Sequence, residues 1–176
     1  MSLKNKDQEV AIFIDVQNLY HSAKNIYQAR VNFKEVLKTG VAGRKLIRAF
    51  AYVVRTKTGE EKPFFDALLN LGIETRVKDL QEYYGGLKKA DWDVGIAVDA
   101  SKTSPGVDVI ILISGDGDFV PLVEYLQNHG KRVEVIAFGK STSSRLREAA
   151  DEFIDLEESV EKYLLRKPKW PLSLIH

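Results

Sequence analysis

The stretch that most constrains the chain is Val107–Ile113, Val-Asp-Val-Ile-Ile-Leu-Ile, which runs straight into Ser114-Gly115-Asp116-Gly117-Asp118. A short apolar run bounded by turn formers reads as a strand buried on both faces. Such a strand needs parallel neighbours beside it and helices above and below. Val10–Ile14 repeats the pattern and ends at Asp15. Two buried strands, each leaving the core at an aspartate, point to an α/β sheet with acidic groups at the carboxyl ends of its strands.

The remaining pattern alternates around these anchors. Helices are predicted over Leu19–Gln28 and Phe33–Lys38, the second closed by Gly40, and a strand over Leu46–Val54. Glu61-Lys62-Pro63 opens a helix, since proline suits the first turn, and Gly72 stops it after Leu71. Ile73–Val77 is a short third strand, and Gln81–Lys89 is a loop or tight excursion. Asp91–Ala100 reads as a helix with Asp91 as N-cap. A helix over Phe119–His129, with Pro121 in its first turn and Gly130 behind it, leads to a fifth strand, Val133–Phe138. Ser143 or Ser144 caps a helix through Ala150, and Glu157–Leu165 predicts a last one. Strands alternating with helices give a mainly parallel five-stranded sheet covered on both faces. Residues 1–165 read as one domain and 166–176, with two prolines, as a tail. Trp170 and Leu172 of that tail can dock on their own core or on a second copy, which would give a homodimer.

Several chemistries are excluded early. With no cysteine among 176 residues, disulfides, thiolate metal sites and a cysteine nucleophile are absent. His21, His129 and His176 are too scattered in sequence to suggest a zinc site. The polar start has no signal-peptide core, and no apolar run reaches the roughly 20 residues that span a bilayer. A cytoplasmic protein without membrane contact is expected. A formal net charge of +1 neither requires nor forbids nucleic acid, so the case rests on where the charges fall.

In parallel α/β sheets, ligands bind outside the carboxyl ends of the strands, at a topological switch point. Asp15, Asp116 and Asp118 stand at two such ends, and Asp93 falls in the first turn of the helix before the fourth strand. If the first and fourth strands are neighbours, these carboxylates converge. Two unit charges about 4 Å apart repel by roughly 4 kcal/mol at an effective dielectric near 20. A hard divalent cation relieves that repulsion, and an all-oxygen donor set suits Mg²⁺, Mn²⁺ or Ca²⁺. Taken singly, each aspartate also fits a turn or a helix cap.

Three segments carry a resemblance: Phe13-Ile14-Asp15-Val16-Gln17-Asn18-Leu19, Lys89-Ala90-Asp91-Trp92-Asp93-Val94 with Ala97-Val98-Asp99, and Ile113-Ser114-Gly115-Asp116-Gly117-Asp118-Phe119-Val120-Pro121-Leu122. They resemble the motifs of NYN-domain proteins of the LabA-like branch, relatives of PIN-domain nucleases, over about Val10–Leu156. The resemblance implies a three-layer PIN-like, Rossmannoid fold with strand order 3-2-1-4-5 and Mg²⁺- or Mn²⁺-dependent ribonuclease activity. Asp15, Asp93, Asp116 and Asp118 match the family's acidic metal positions. Asn18 matches the asparagine that orients the first of them, and Ser114 is placed to hold an aspartate or a water. Asp99 also matches an acidic position, but six residues beyond Asp93 it lies about 120° around the helix, so it is assigned to the surroundings of the ion. Val16-Gln17 and Trp92 stand where the family has smaller side chains.

Basic residues follow the strands: Arg55 and Lys57, Lys78, then Lys140 and Arg145, with Lys88 and Lys89 ahead of Asp93. Such cations can hold phosphates flanking the reacting one, while Tyr83, Tyr84 and Trp92 can stack on unpaired bases of a single-stranded RNA. Gly139-Lys140-Ser141-Thr142 looks like the end of a phosphate loop, but Glu134 occupies the position of its first glycine. Glu124, Glu134 and Glu148 show no site spacing and are read as solvated. The favoured function is metal-dependent RNA hydrolysis. Its alternatives are an RNA-binding or regulatory module without cleavage, and a haloacid-dehalogenase-type phosphatase, against which Gln17 stands where the second acid of a DxD pair is needed.

Overall fold

The computed structural model describes residues 4–55, 62–83, 87–89 and 91–166. The first strand, β1 (Glu9–Asp15), is fully buried from Val10 to Ile14. Its even positions, Val10, Ile12 and Ile14, enter one core, and its odd positions, Ala11 and Phe13, enter another on the opposite face. That division explains the unbroken apolar run: a strand packed on both faces has no side to leave polar.

Helix α1 (Val16–Tyr27) follows, then a short strand β2 (Arg30–Val31) and α2 (Phe33–Val41). Asn32 caps α2, its side chain accepting from the Glu35 amide. Gly40 does not end this helix as expected. It lies inside it, where a Cβ would stand 3.1 Å from Ile12 Cδ1, so the glycine permits close packing on β1. Strand β3 (Lys45–Arg55), helix α3 (Lys62–Asn70) and strand β4 (Glu74–Asp79) complete the first half, with Gly72 at φ +79° turning the chain after α3. A small antiparallel pair, β5 (Gln81–Tyr83) and β6 (Leu87–Lys89), occupies the expected excursion.

The second half runs α4 (Asp93–Thr103), β7 (Val109–Ile113), α5 (Val120–Asn128), β8 (Arg132–Ala137) and α6 (Ser144–Ala149). It ends with β9 (Glu152–Asp155), α7 (Val160–Tyr163) and β10 (Leu164–Leu165). The sheet order is β4-β3-β1-β7-β8-β9, with every pairing parallel. The expected five-strand order is therefore present, extended by β9 at one edge. Helices α1, α2, α3 and α7 cover one face and α4, α5 and α6 the other, giving three layers.

The last predicted helix is shorter than expected. Leu156–Ser159 forms a 3₁₀ turn, and Leu164–Leu165 pair antiparallel with β2 instead of continuing the helix. Glu134 corrects another expectation, for it is wholly buried rather than solvated. Arg44 meets its two carboxylate oxygens at 2.9 and 2.8 Å, and Arg132 adds a bond at 2.9 Å. Burial alone would push the Glu134 carboxyl up, yet the two guanidiniums hold it below the usual range. Among the described residues no helix is long and apolar enough to cross a membrane. The tail beyond Arg166, with Trp170 and Leu172, lies outside the described residues.

Candidate metal centre

From β1 the chain winds outward through β3 to β4, then returns past β1 to β7, so the switch point lies between β1 and β7. The register pairs Ile14 with Ile113, which brings Asp15 and Ser114 side by side as both strands leave the core. Ser114 Oγ donates to Asp15 Oδ2 at 2.9 Å and accepts from the Asp116 amide at 3.2 Å. Asp15 also caps α1, its Oδ1 accepting from the Asn18 amide at 3.3 Å. Asp15 thus caps a helix from the end of a buried strand. Burial pushes its carboxyl up to about 6; the bonds from Ser114 and Asn18 oppose that rise, and the charges of Asp116 and Asp91 add to it.

The loop after β7 is shaped by its own aspartate and by close packing. Asp116 Oδ1 accepts from the Asp118 amide at 2.9 Å, and Asn18 Oδ1 accepts from the Gly115 amide at 2.9 Å. Asn18 therefore orients Asp15 through its backbone, while its side chain braces the loop. At Gly115 a Cβ would stand 2.7 Å from Thr142 Oγ1 and 3.0 Å from Thr142 Cα; at Gly117 it would meet Ser143 Oγ at 2.7 Å. The segment that looked like a phosphate loop is thus a wall supporting these glycines, and the Ser143 amide donates to the Gly115 carbonyl at 2.9 Å.

Asp93 opens α4 on the far side of this loop. The cap differs from expectation: Asp91 precedes the helix and accepts from the Asp93 amide at 3.2 Å, while Trp92 holds the cap position. One oxygen each of Asp93, Asp116 and Asp118 lies within 4.8 Å of the others. At 4.8 Å an ionised Asp93–Asp116 pair repels by roughly 3 kcal/mol at an effective dielectric near 20. Burial first, then the charge and hydrogen bonding of Asp116, raise Asp93 to about 7. Three clustered carboxylates, one of them reluctant to ionise alone, match the donor chemistry of a hard dication. Asp15 stands beside this trio; each of its oxygens accepts one bond, from Ser114 or from Asn18, and keeps a lone pair for a cation or a water.

Asp91 was read from the sequence only as a cap, yet its charge raises both Asp15 and Asp93. The Asp-x-Asp spacing before α4 was the available signal. Asp99 turns away from the trio: it accepts from Tyr52 Oη at 2.8 Å and lies 3.5 Å from Arg76 Nε, tying α4 to the sheet. Val16 is buried in the core, so it does not crowd the mouth of the site.

The expected RNA-holding ring is only partly assembled. Arg55 is paired with Asp79, and Lys78 donates to the Asp91 carbonyl with its ammonium 4.4 Å from the Trp92 ring centre. Trp92 packs as a support, donating to the Val53 carbonyl at 2.9 Å and lying against Gly95. Lys140 sits over Tyr27, and Arg145 is exposed on α6. Lys57 and Tyr84 lie outside the described residues, as do the side chains of Tyr83, Lys88 and Lys89.

Comparisons with known proteins bear on the fold. The NYN domain model matches residues 9–157. The chain is 27% identical over 168 residues to the low amplitude and bright protein LabA of Synechococcus elongatus, covering 87% of this chain and 86% of that protein. It is also 27% identical over 157 residues to the uncharacterized protein MJ0482 of Methanocaldococcus jannaschii, covering 86% of this chain and 57% of that one. The crystal structure of VPA0982 from Vibrio parahaemolyticus, a protein of unknown function, superposes with a TM-score of 0.83 at 32% identity, covering 93% of this chain and all of that one.

Proposed function

The chain belongs to the NYN domain family, and on that premise we propose that it hydrolyses RNA at a divalent cation held by Asp93, Asp116 and Asp118. The observation that carries the proposal is the meeting of three carboxylates within 4.8 Å at the switch point of the sheet. Mg²⁺ or Mn²⁺ suits the donor set and would supply charge stabilisation at a phosphoryl oxygen.

The protein's own residues set up that chemistry. Asp116 is held by the Asp118 amide and Asp118 by the turn that this bond closes. Asp93 is aimed from the start of a separate helix, so the trio draws on two elements whose spacing depends on the fold. Asp15, fixed by Ser114 and by the Asn18 amide, adds a fourth carboxylate beside the trio, and a bound dication would favour its ionised form.

Incubation of a labelled single-stranded RNA with Mn²⁺, with and without chelator, tests the assignment. Chelator-sensitive cleavage is expected, together with its loss in Asp116→Asn. Metal-dependent binding without cleavage would instead make the protein a regulatory RNA-binding module, and release of phosphate from a small monoester would make it a phosphatase.

A further inference from the structure

Helix α4 carries apolar side chains on two faces. Ile96 and Ala100 are in the core, but Val94 is 76% and Val98 45% exposed. At about 100° per residue, Asp93, Ala97, Ser101, Val94, Val98 and Lys102 follow one another around roughly half the helix. These residues, with Asp118, line an open depression of about 510 Å³. One margin is made of metal-centre carboxylates and the other of Lys102, exposed and without an ion-pair partner among the described residues.

We propose that this depression holds the unpaired nucleoside next to the phosphate at the metal centre, its base against Val94, Ala97 and Val98, with Lys102 taking a phosphate further along the strand. The inference rests on the ribonuclease reading and adds to it a seat for one base on α4. The margins are complementary to a nucleic-acid strand: a cation held by Asp93 and Asp118 would meet one phosphate, and Lys102, whose backbone stands about 14 Å further along the axis, nine residues at 1.5 Å, would meet another. A duplex could not lay a base face on the valines without unpairing it. Ser101 Oγ is committed to the Ala97 carbonyl at 2.7 Å, so the floor reads no base edge and recognition is tolerant of sequence.

The test compares binding of a labelled single-stranded RNA in Ca²⁺, intact or with abasic nucleotides, by fluorescence anisotropy, while Mn²⁺ affinity is followed by calorimetry. The wild type is expected to prefer the intact strand by about tenfold, from apolar burial of one base. The double substitution Val94→Ser/Val98→Ser removes that preference and leaves Mn²⁺ affinity unchanged. Lys102→Gln lowers the slope of log K against log salt by about 0.7, the value for one lost phosphate contact on a single strand. Retention of the preference in the double variant, or an unchanged slope in Lys102→Gln, overturns the inference while the ribonuclease reading stands. Self-association of the wild type that the double variant abolishes also overturns it, since the face would then belong to a second copy. Failure of the wild type to bind Mn²⁺ removes the underlying reading instead.

Discussion

Replacing Asp116 by asparagine sets stability against metal binding at one position. The amide keeps the oxygen that accepts from the Asp118 amide at 2.9 Å, so the loop retains its shape while one charge leaves the trio. Without metal, that charge raises Asp93 to about 7 from an ordinary value of 3.8, after the larger effect of burial. A carboxyl whose folded value exceeds its unfolded one stabilises the fold while it is protonated, and that contribution is lost as pH rises through the folded value. At pH 8 the metal-free wild type therefore bears the full repulsion, roughly 3 kcal/mol for the pair at an effective dielectric near 20. Solvent access reduces this to about 1–2 kcal/mol. Asp116→Asn should accordingly melt about 2–8 °C higher than the wild type at pH 8 in chelator, from a shift of about 2–4 °C per kcal/mol for this size. The advantage should shrink as pH falls below 7 and vanish near 4. Saturating Mn²⁺ should reverse the order, since at a hundredfold excess over Kd the wild type gains about 2.7 kcal/mol that a site missing one ligand does not. Differential scanning calorimetry at several pH values, with chelator or Mn²⁺, measures all of this. A variant less stable than the wild type in chelator at pH 8, or an order unchanged by Mn²⁺, would refute the shared-ion reasoning.

Other substitutions isolate the supports. Ser114→Ala removes a bond to the ionised form of Asp15, so carboxyl NMR titration should place Asp15 above about 6, with stability lower by about 1–2 kcal/mol. Glu134→Ala leaves Arg44 buried and unpaired and should cost about 3–5 kcal/mol in urea denaturation. Gly115→Ala drives a Cβ to 3.0 Å from Thr142 Cα, a backbone contact that cannot rotate away, so a loss of about 1–3 kcal/mol and weaker Mn²⁺ binding are expected by calorimetry.

The parts legible in the sequence are those whose cause is local. Val10–Ile14 and Val107–Ile113 announce their strands because burial on both faces leaves no polar position, although Val107 and Asp108 proved to precede β7. Strand β9 escaped because Glu-Phe-Ile-Asp, half-buried at a sheet edge, is too short and too polar to signal by periodicity. The end of the last helix escaped because Leu164–Leu165 find hydrogen-bond partners at Arg30–Val31, a competition that helix periodicity cannot register. Glu134 looked solvated because its chief partner, Arg44, lies 90 residues away.

The same distinction separates what was readable in the site from what was not. Strand ends placed Asp15 and Asp116 near one another, since adjacent parallel strands that end together deliver their next residues to one spot. Helix angle separates Asp93, a ligand candidate, from Asp99 by about 120°, but does not give the role of the second, which serves Tyr52 and Arg76 on distant strands. The direction follows from Ile96 and Ala100, which fix the buried side of α4 and so send Asp93 toward Asp118 and Asp99 toward the sheet. Asp93 is thus held against like charges by the packing of its own helix. The energy that keeps three carboxylates together is apolar burial elsewhere in α4, and a cation would relieve the strain without having to assemble the site.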